Sequence, residues 1–418
     1  MSRDHSNILV LIERFGQGGT EKLTSMVAEE LARRRGGRVY YGTVFSETGR
    51  NFYPGTAEPV CLEIPAAHSP WGKVINYARK LRRLSRLKRR LGIGLTISAL
   101  WPVDWINVLT GSDRKLCIVV INIFNNAQNA RMVRHHRLVS YVYNHADRVV
   151  VSSASILREM TEGFAVEPGR VRQIRNPLDL QAIERNQAER LPPVIESFLD
   201  RHAILVFAGR LQDVKNAVAL VPIIKEVNRR TGAKLLVIGE GEDKVPMQEL
   251  LTKVGLTFAD LEREAGTVEE GAVVQFMRFQ QNLHQIFARC RAFVLPSKGE
   301  GVPLALLEAM ACGVPVAVSD CPNGGPAEVF GVVPPGEHVA RTVTLATPAG
   351  YLLPVPEASR QDTITQWADA IVDMLQDRAK SLAMGGEARR IASGYGLEQV
   401  MPQWLEEVDR LIAAPRQA

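Results

Sequence analysis

Long hydrophobic runs are missing from this chain. No apolar stretch in its 418 residues reaches the roughly 18 needed to cross a bilayer. The opening, MSRDHSNILVLIERFGQGG, has no signal-peptide layout, because its apolar run is short and leads straight into glycines. Cysteine is sparse. Cys61, Cys117, Cys290, Cys312 and Cys321 are scattered, odd in number and without C-x-x-C spacing. That argues against a disulfide framework and a zinc site, and for reduced thiols in a cytoplasmic protein. There is no G-x-G-x-x-G after the first apolar run and no acid closing the next, so a nicotinamide cofactor is not expected. No D-x-D loop suits a divalent metal, and no residue stands out as a nucleophile. The expectation is an activity with no metal and no cofactor.

What is present is ordinary for a globular protein, with 46% hydrophobic residues and length enough for two or three domains. The net charge of +6 is unevenly spread. Residues 1–190 hold 29 Lys and Arg against 17 Asp and Glu, whereas the remainder holds 22 against 28. The first half is therefore expected to face something anionic. Its densest stretch is Tyr77–Leu91, YARKLRRLSRLKRRL, with leucines at helical spacing and eight cations between Arg79 and Arg90. Such a helix can lie on anionic lipid headgroups, or it can be a solvated outer helix packed by its leucines. It lacks interleaved aromatics, and no nucleic-acid motif accompanies it, so nucleic acid is not an expected partner.

The most informative stretch is Pro296–Val329, PSKGEGVPLALLEAMACGVPVAVSDCPNGGPAEV. An apolar run, Ala292–Leu295, precedes it, and another, Val314–Val318, lies within it. Between them Leu304–Ala311 contains only good helix formers, with Pro303 at the start and Gly313 past the end. The pattern predicts strand, glycine-bearing loop, helix, strand. A helix start preceded by glycines offers free N–H groups and a positive dipole end, which suits a diphosphate. Glu300 sits in the loop and Glu308 in the helix, eight positions on. Apolar neighbours around Glu308 imply a buried carboxylate, which needs a partner.

The setting E-G-x-P-L-x-L-L-E-A-M-A-x-G-x-P-V resembles the signature of the retaining nucleotide-sugar glycosyltransferases of family four. The D-C-P-N-G-G-P-A-E-V that follows is similar to a loop of members that build bacterial surface and lipid-linked glycans. The resemblance implies an α/β, GT-B fold: two Rossmann-like domains facing across a cleft, with a C-terminal helix that crosses back. The expected division is 1–190, with 398–418, for the acceptor, and 191–397 for the donor. Leu191-Pro192-Pro193 reads as the hinge.

Residue roles follow from the same resemblance. G-R-L-x-x-x-K-N places Arg210 and Lys215 on the donor diphosphate, where a departing nucleoside diphosphate needs cations. Glu300 is expected to hold sugar hydroxyls, helped by backbone N–H groups across Gly301, Val302, Pro303 and Leu304, and Glu308 to hold the ribose. Gly18 and Gly19, after the first strand Asn7–Glu13, match a turn that approaches the donor phosphates. Glu240 lies in a further turn, and Met277 and Phe279 in the strand that lines the base pocket. Phe124, with Asn125 and Asn126, stands where the family often carries a histidine near the acceptor. Arg278 stands where a glycine is usual. The implied reaction is retaining, metal-independent transfer from a UDP-sugar to a saccharide or lipid-linked acceptor in envelope or exopolysaccharide synthesis. The implied location is cytoplasmic or, peripherally, the inner face of the plasma membrane. A phosphorylase or epimerase of the same fold, or an inactive sugar-nucleotide-binding subunit, is the alternative. Residues 252–272 and 331–349 read as insertions, the second as a surface loop.

Overall fold

The computed structural model describes residues 7–45, 55–66, 69–120, 134–261, 268–332 and 340–414. The chain forms two compact units, Met1–Pro177 with Glu398–Ala418, and Leu178–Leu397.

The first unit is built on a parallel sheet. Its strands are β1 (Asn7–Ile12), β2 (Val39–Phe45), β3 (Glu58–Ile64), β4 (Ile93–Ala99), β5 (Arg114–Val119), β6 (Arg148–Val151) and β7 (Val171–Gln173), in the order β3-β2-β1-β4-β5-β6-β7. The run NILVLI becomes a central strand because it is apolar throughout, and a strand covered on both faces needs that. The chain order reverses direction at β1, so the loops after β1 and β4 open at the switch point where such sheets bind ligands. The helix that follows β1, Gly19–Arg34, starts at Gly18 and ends on Arg33 and Arg34, which suit its negative dipole end.

The basic helix spans Pro70–Arg90 and so begins earlier than Tyr77, with Ser69 Oγ accepting from Gly72 N at 3.0 Å. It packs on the sheet by Leu84 and Leu87. The last helix, Leu397–Ala413, completes this unit from the far end of the chain. Its buried Glu407 takes Arg148 Nε at 2.5 Å and Arg172 Nη1 at 2.6 Å, and Trp404 is wholly buried.

The second unit holds β8 (Ile204–Ala208), β9 (Lys234–Ile238), β10 (Phe258–Asp260), β11 (Val274–Met277), β12 (Ala292–Leu295), β13 (Val316–Ser319), β14 (Leu345–Thr347) and β15 (Gly350–Leu353). Their order is β10-β11-β9-β8-β12-β13-β15-β14, parallel except for β14 against β15. Three sequence expectations meet different outcomes here. Leu178 opens this unit because the helix Leu180–Gln187 is held to it, Asn282 Nδ2 donating to Asn186 O at 3.1 Å. Pro193 starts a helix, Pro193–Arg201, instead of forming a hinge, since its missing N–H costs nothing at a first helical position. Within the two stretches read as insertions, β10 and β14 are short edge strands.

Candidate functional site

Two neighbouring strands organise the site in the second unit. β8 and β12 pair directly although far apart in sequence, and the direction of strand succession changes between them. Their carboxyl ends carry Gly209–Asn216 and Pro296–Pro303. Lys215 Nζ meets Glu300 Oε1 at 2.5 Å, and Ser297 Oγ donates to the same oxygen at 2.7 Å. Glu300 is 8% exposed, and a carboxylate so buried is tolerable only with such partners. Asn216 clasps the two loops. Its backbone is left-handed (φ 54°), and its Nδ2 donates to Pro296 O at 3.1 Å and to Pro356 O at 2.9 Å. Lys298 N adds a bond to Val214 O at 2.9 Å. Behind Glu300 lies Cys321, whose thiol is pushed up to about 12 by burial and then by the Glu300 charge.

The helix after Glu300 spans Leu304–Ala311, as its sequence predicts. Its N-terminus has no side-chain cap, which leaves first-turn N–H groups open to an anion. One expectation needs correction: Pro303 has no N–H, so the donors in this stretch are Gly301, Val302 and Leu304. At the other end Arg389 caps the chain, Nε to Ala311 O at 3.3 Å and Nη2 to Cys312 O at 3.2 Å. Glu308 is buried, with His284 Nε2 3.9 Å from its Oε1. That nitrogen has no hydrogen-bond partner among the described residues, while Nδ1 lies 3.3 Å from Asn186 Nδ2.

Arg210 projects from the loop after β8, exposed, with no side-chain partner among the described residues. The turn Gly239-Glu240-Gly241 supports that loop from beside it. Both glycines have positive φ, and a Cβ on them would lie 1.9 Å from Gly209 O and 2.1 Å from Leu211 O. Only glycine permits this approach. Glu240 is exposed and 3.7 Å from Arg278, so the arginine at the position where glycine is usual turns outward to a carboxylate. Met277 is buried in the sheet and Phe279 half-buried beside it. In the first unit Gly18 caps the helix Gly19–Arg34, and the Glu21 carboxylate folds back over Gly16 and Gly18. Phe124, Asn125 and Asn126 lie outside the described residues.

The structure thus brings Lys215, Glu300 and the start of the helix Leu304–Ala311 together, with Arg210 on the adjoining loop. Sequence reading missed Ser297, Asn216 and His284. Asn216 adjoins Lys215 and Ser297 lies three positions before Glu300, and that nearness was their signal. His284 had none.

Two family models match the chain, "Glycosyltransferase Family 4" over residues 17–182 and "Glycosyl transferases group 1" over residues 202–377. The chain belongs to the family four, group 1 glycosyltransferases. Among the relatives of this glycosyltransferase chain is the Campylobacter jejuni N-acetylgalactosamine-N,N'-diacetylbacillosaminyl-diphospho-undecaprenol 4-alpha-N-acetylgalactosaminyltransferase. It is 25% identical over 60% of this chain and 63% of its own length. The amylovoran biosynthesis glycosyltransferase AmsD of Erwinia amylovora is 25% identical over 77% of this chain and 83% of its own. Two solved structures superpose along almost the whole glycosyltransferase chain. Anabaena HepE with UDP and glucose gives a TM-score of 0.70 at 16% identity, over 97% of this chain and all of that one. Sucrose-phosphate synthase from Thermosynechococcus elongatus gives 0.71 at 19%, over 98% and 100%. The fold is GT-B. Among the described residues no helix of the glycosyltransferase is long and apolar enough to cross a membrane.

Proposed function

We propose that this chain transfers a sugar from a UDP-sugar, with retention and without a metal, to a saccharide or lipid-linked acceptor in bacterial envelope or exopolysaccharide synthesis. The observation that carries the reading is the Lys215–Glu300 contact at the carboxyl ends of β8 and β12, beside a helix start with no side-chain cap. A departing nucleoside diphosphate gathers negative charge, and fixed cations and N–H dipoles stabilise it best when they are already in place. Arg210 and Lys215 supply the cations, and Gly301, Val302 and Leu304 supply the dipoles. Glu300, oriented by Lys215 and Ser297, accepts hydrogen bonds from sugar hydroxyls, and Glu308 accepts from the ribose. The acceptor hydroxyl attacks the anomeric carbon on the face the diphosphate leaves. The bond from that carbon to the phosphate oxygen breaks, and the same oxygen takes the hydroxyl proton. This route asks for no protein nucleophile. The uridine assignment is supported by the UDP in the HepE structures, and the acceptor class by the names of the Campylobacter and Erwinia relatives. The basic helix Pro70–Arg90 is read as the surface that meets an anionic membrane.

Calorimetric titration with UDP, GDP and ADP tests the donor site. UDP should bind selectively. Arg210→Ala should weaken it roughly 10- to 100-fold, the range of a lost hydrogen bond to a charged group at ~1.5–3 kcal/mol. The Arg210 side chain has no partner to lose among the described residues, so this variant should keep the wild-type melting temperature. Absence of binding by all three nucleotides would overturn the donor assignment.

A further inference from the structure

The first unit contains a cavity of about 340 Å³ that no donor chemistry accounts for. It opens at the carboxyl ends of β1, β2 and β3, against the first half of the helix Pro70–Arg90. Arg14 follows β1, Phe45 ends β2, and Lys73, Asn76, Tyr77 and Lys80 come from the helix. Three of these six side chains are cations. None of the three is in an ion pair or a side-chain hydrogen bond among the described residues. Instead Lys80 Nζ stands 4.4 Å, and Arg14 Cζ 5.4 Å, from the centroid of the Phe45 ring. Among the described residues the Glu13 charge favours the Lys80 ammonium while Arg14 disfavours it. Burial outweighs both and lowers the Lys80 pKa. The Tyr77 hydroxyl oxygen is buried without a hydrogen-bond partner among the described residues, and burial alone lifts its pKa to about 12.

Each of these features disfavours the empty state. The half-buried Lys80 ammonium is desolvated with no ion pair among the described residues, its charge and that of the exposed Arg14 gather on one ring and repel, and the unbonded Tyr77 hydroxyl forfeits its hydrogen bond. An anion with several acceptor oxygens answers all three at once: Arg and Lys supply charge-assisted donors, and Tyr77 supplies a neutral one. The volume exceeds what a single inorganic ion requires and admits a substituted phosphate. Within the cluster Lys80 is half-buried, whereas Arg14 and Lys73 are exposed.

We propose that this cavity binds the phosphate or diphosphate group of the acceptor, through Arg14, Lys73, Lys80 and Tyr77. The proposal rests on the reading of the chain as a glycosyltransferase, and it assigns the class of acceptor: one whose sugar is carried on a phosphate ester. That group is either the headgroup of a lipid carrier or part of a soluble sugar phosphate.

The test uses the full chain saturated with UDP, so that the donor site is occupied, and titrates inorganic pyrophosphate and farnesyl diphosphate. Both should still bind. Lys80→Met and Arg14→Gln should each weaken binding about tenfold or more, as expected for loss of a charge-assisted hydrogen bond, and Tyr77→Phe by a smaller factor. UDP affinity should be unchanged in all three. Lys80→Met removes a desolvated charge, so its melting temperature should equal or exceed that of the wild type, which separates loss of a ligand contact from loss of fold. Farnesyl diphosphate binding tighter than pyrophosphate would place the phosphate on a lipid. Equal binding would place it on a soluble acceptor, and both results uphold the site. No diphosphate binding beside UDP, or binding indifferent to the three variants, would overturn it. If UDP itself fails to bind, the donor reading falls, and the same three variants titrated without UDP still decide the cavity.

Discussion

Glu300 is the residue whose environment is most specific. It is buried, it accepts from Ser297, and it shares a charge with Lys215. Its partner lies 85 positions away in sequence, so their contact is a product of β8 and β12 pairing and not of any local pattern. Glu300→Gln keeps the shape and can keep the Ser297 bond, but it releases Lys215. If Glu300 acts on sugar hydroxyls, sugar transfer should fall about 10- to 100-fold, the scale of a lost charged hydrogen bond. UDP affinity should change far less, because the nucleotide does not contain the sugar. Parallel rate and titration measurements decide it. Equal losses in transfer and in UDP affinity would move Glu300 from the sugar to the diphosphate.

At the scale of elements, the glycine loops set how closely the site is built. A Cβ on Gly325 would lie 1.5 Å from Gly301 O, so the N-G-G-P turn touches the Glu300 loop backbone to backbone. Gly325→Ala must push the loops apart, at a cost of ~1–3 kcal/mol, or about 2–4 °C of melting temperature per kcal/mol in a unit of this size. Gly386→Ala is the contrast. Nothing lies within 4 Å of the added Cβ, and the residue is helical, so it should stabilise by ~0.5–1 kcal/mol. Calorimetry on both variants checks the pair, and a neutral Gly325→Ala would refute the close-packed loop. The sequence made the helix Leu304–Ala311 legible to the residue, because Pro303 and Gly313 punctuate it. It also made the buried strands β1, β8, β9 and β12 legible, because they are short continuous apolar runs. The edge strands β3, β10 and β14 were not legible. Glu58–Ile64 is half exposed and interrupted by charge, and the other two are three residues each, too short to carry a period. Of the site, single residues could be read from motif spacing. The neighbours that hold them, His284 and the Gly325 turn, could not, since those depend on which strands sit side by side.

At the scale of the whole molecule, the excess positive charge of the first half resolves into one helix with two ends. Trp71, Ile75, Ala78, Arg82, Arg86 and Arg89 follow one another at helical spacing and are all exposed, Trp71 by 78%. The opposite side holds Leu84, Leu87 and the buried Lys88, which pairs with Asp113 at 3.1 Å. The exposed stripe therefore runs from apolar to cationic along its length. Arg83 is spent elsewhere, donating to Leu62 O at 2.8 Å and Glu63 O at 2.6 Å. On the proposed membrane reading, the Trp71 end would enter the interface of an anionic bilayer, and each cation near the surface would contribute about 1 kcal/mol. Flotation with vesicles containing phosphatidylglycerol should recover the protein, and vesicles of phosphatidylcholine alone should not. Raising salt to about 1 M shrinks the Debye length to roughly 3 Å and should release it. Trp71→Ser should weaken recovery at every salt concentration, because it removes apolar contact. Arg82→Gln with Arg86→Gln and Arg89→Gln should weaken it mainly at low salt. Recovery that ignores lipid charge, or that survives all four substitutions, would return this stripe to the solvated outer face that a charge run usually is.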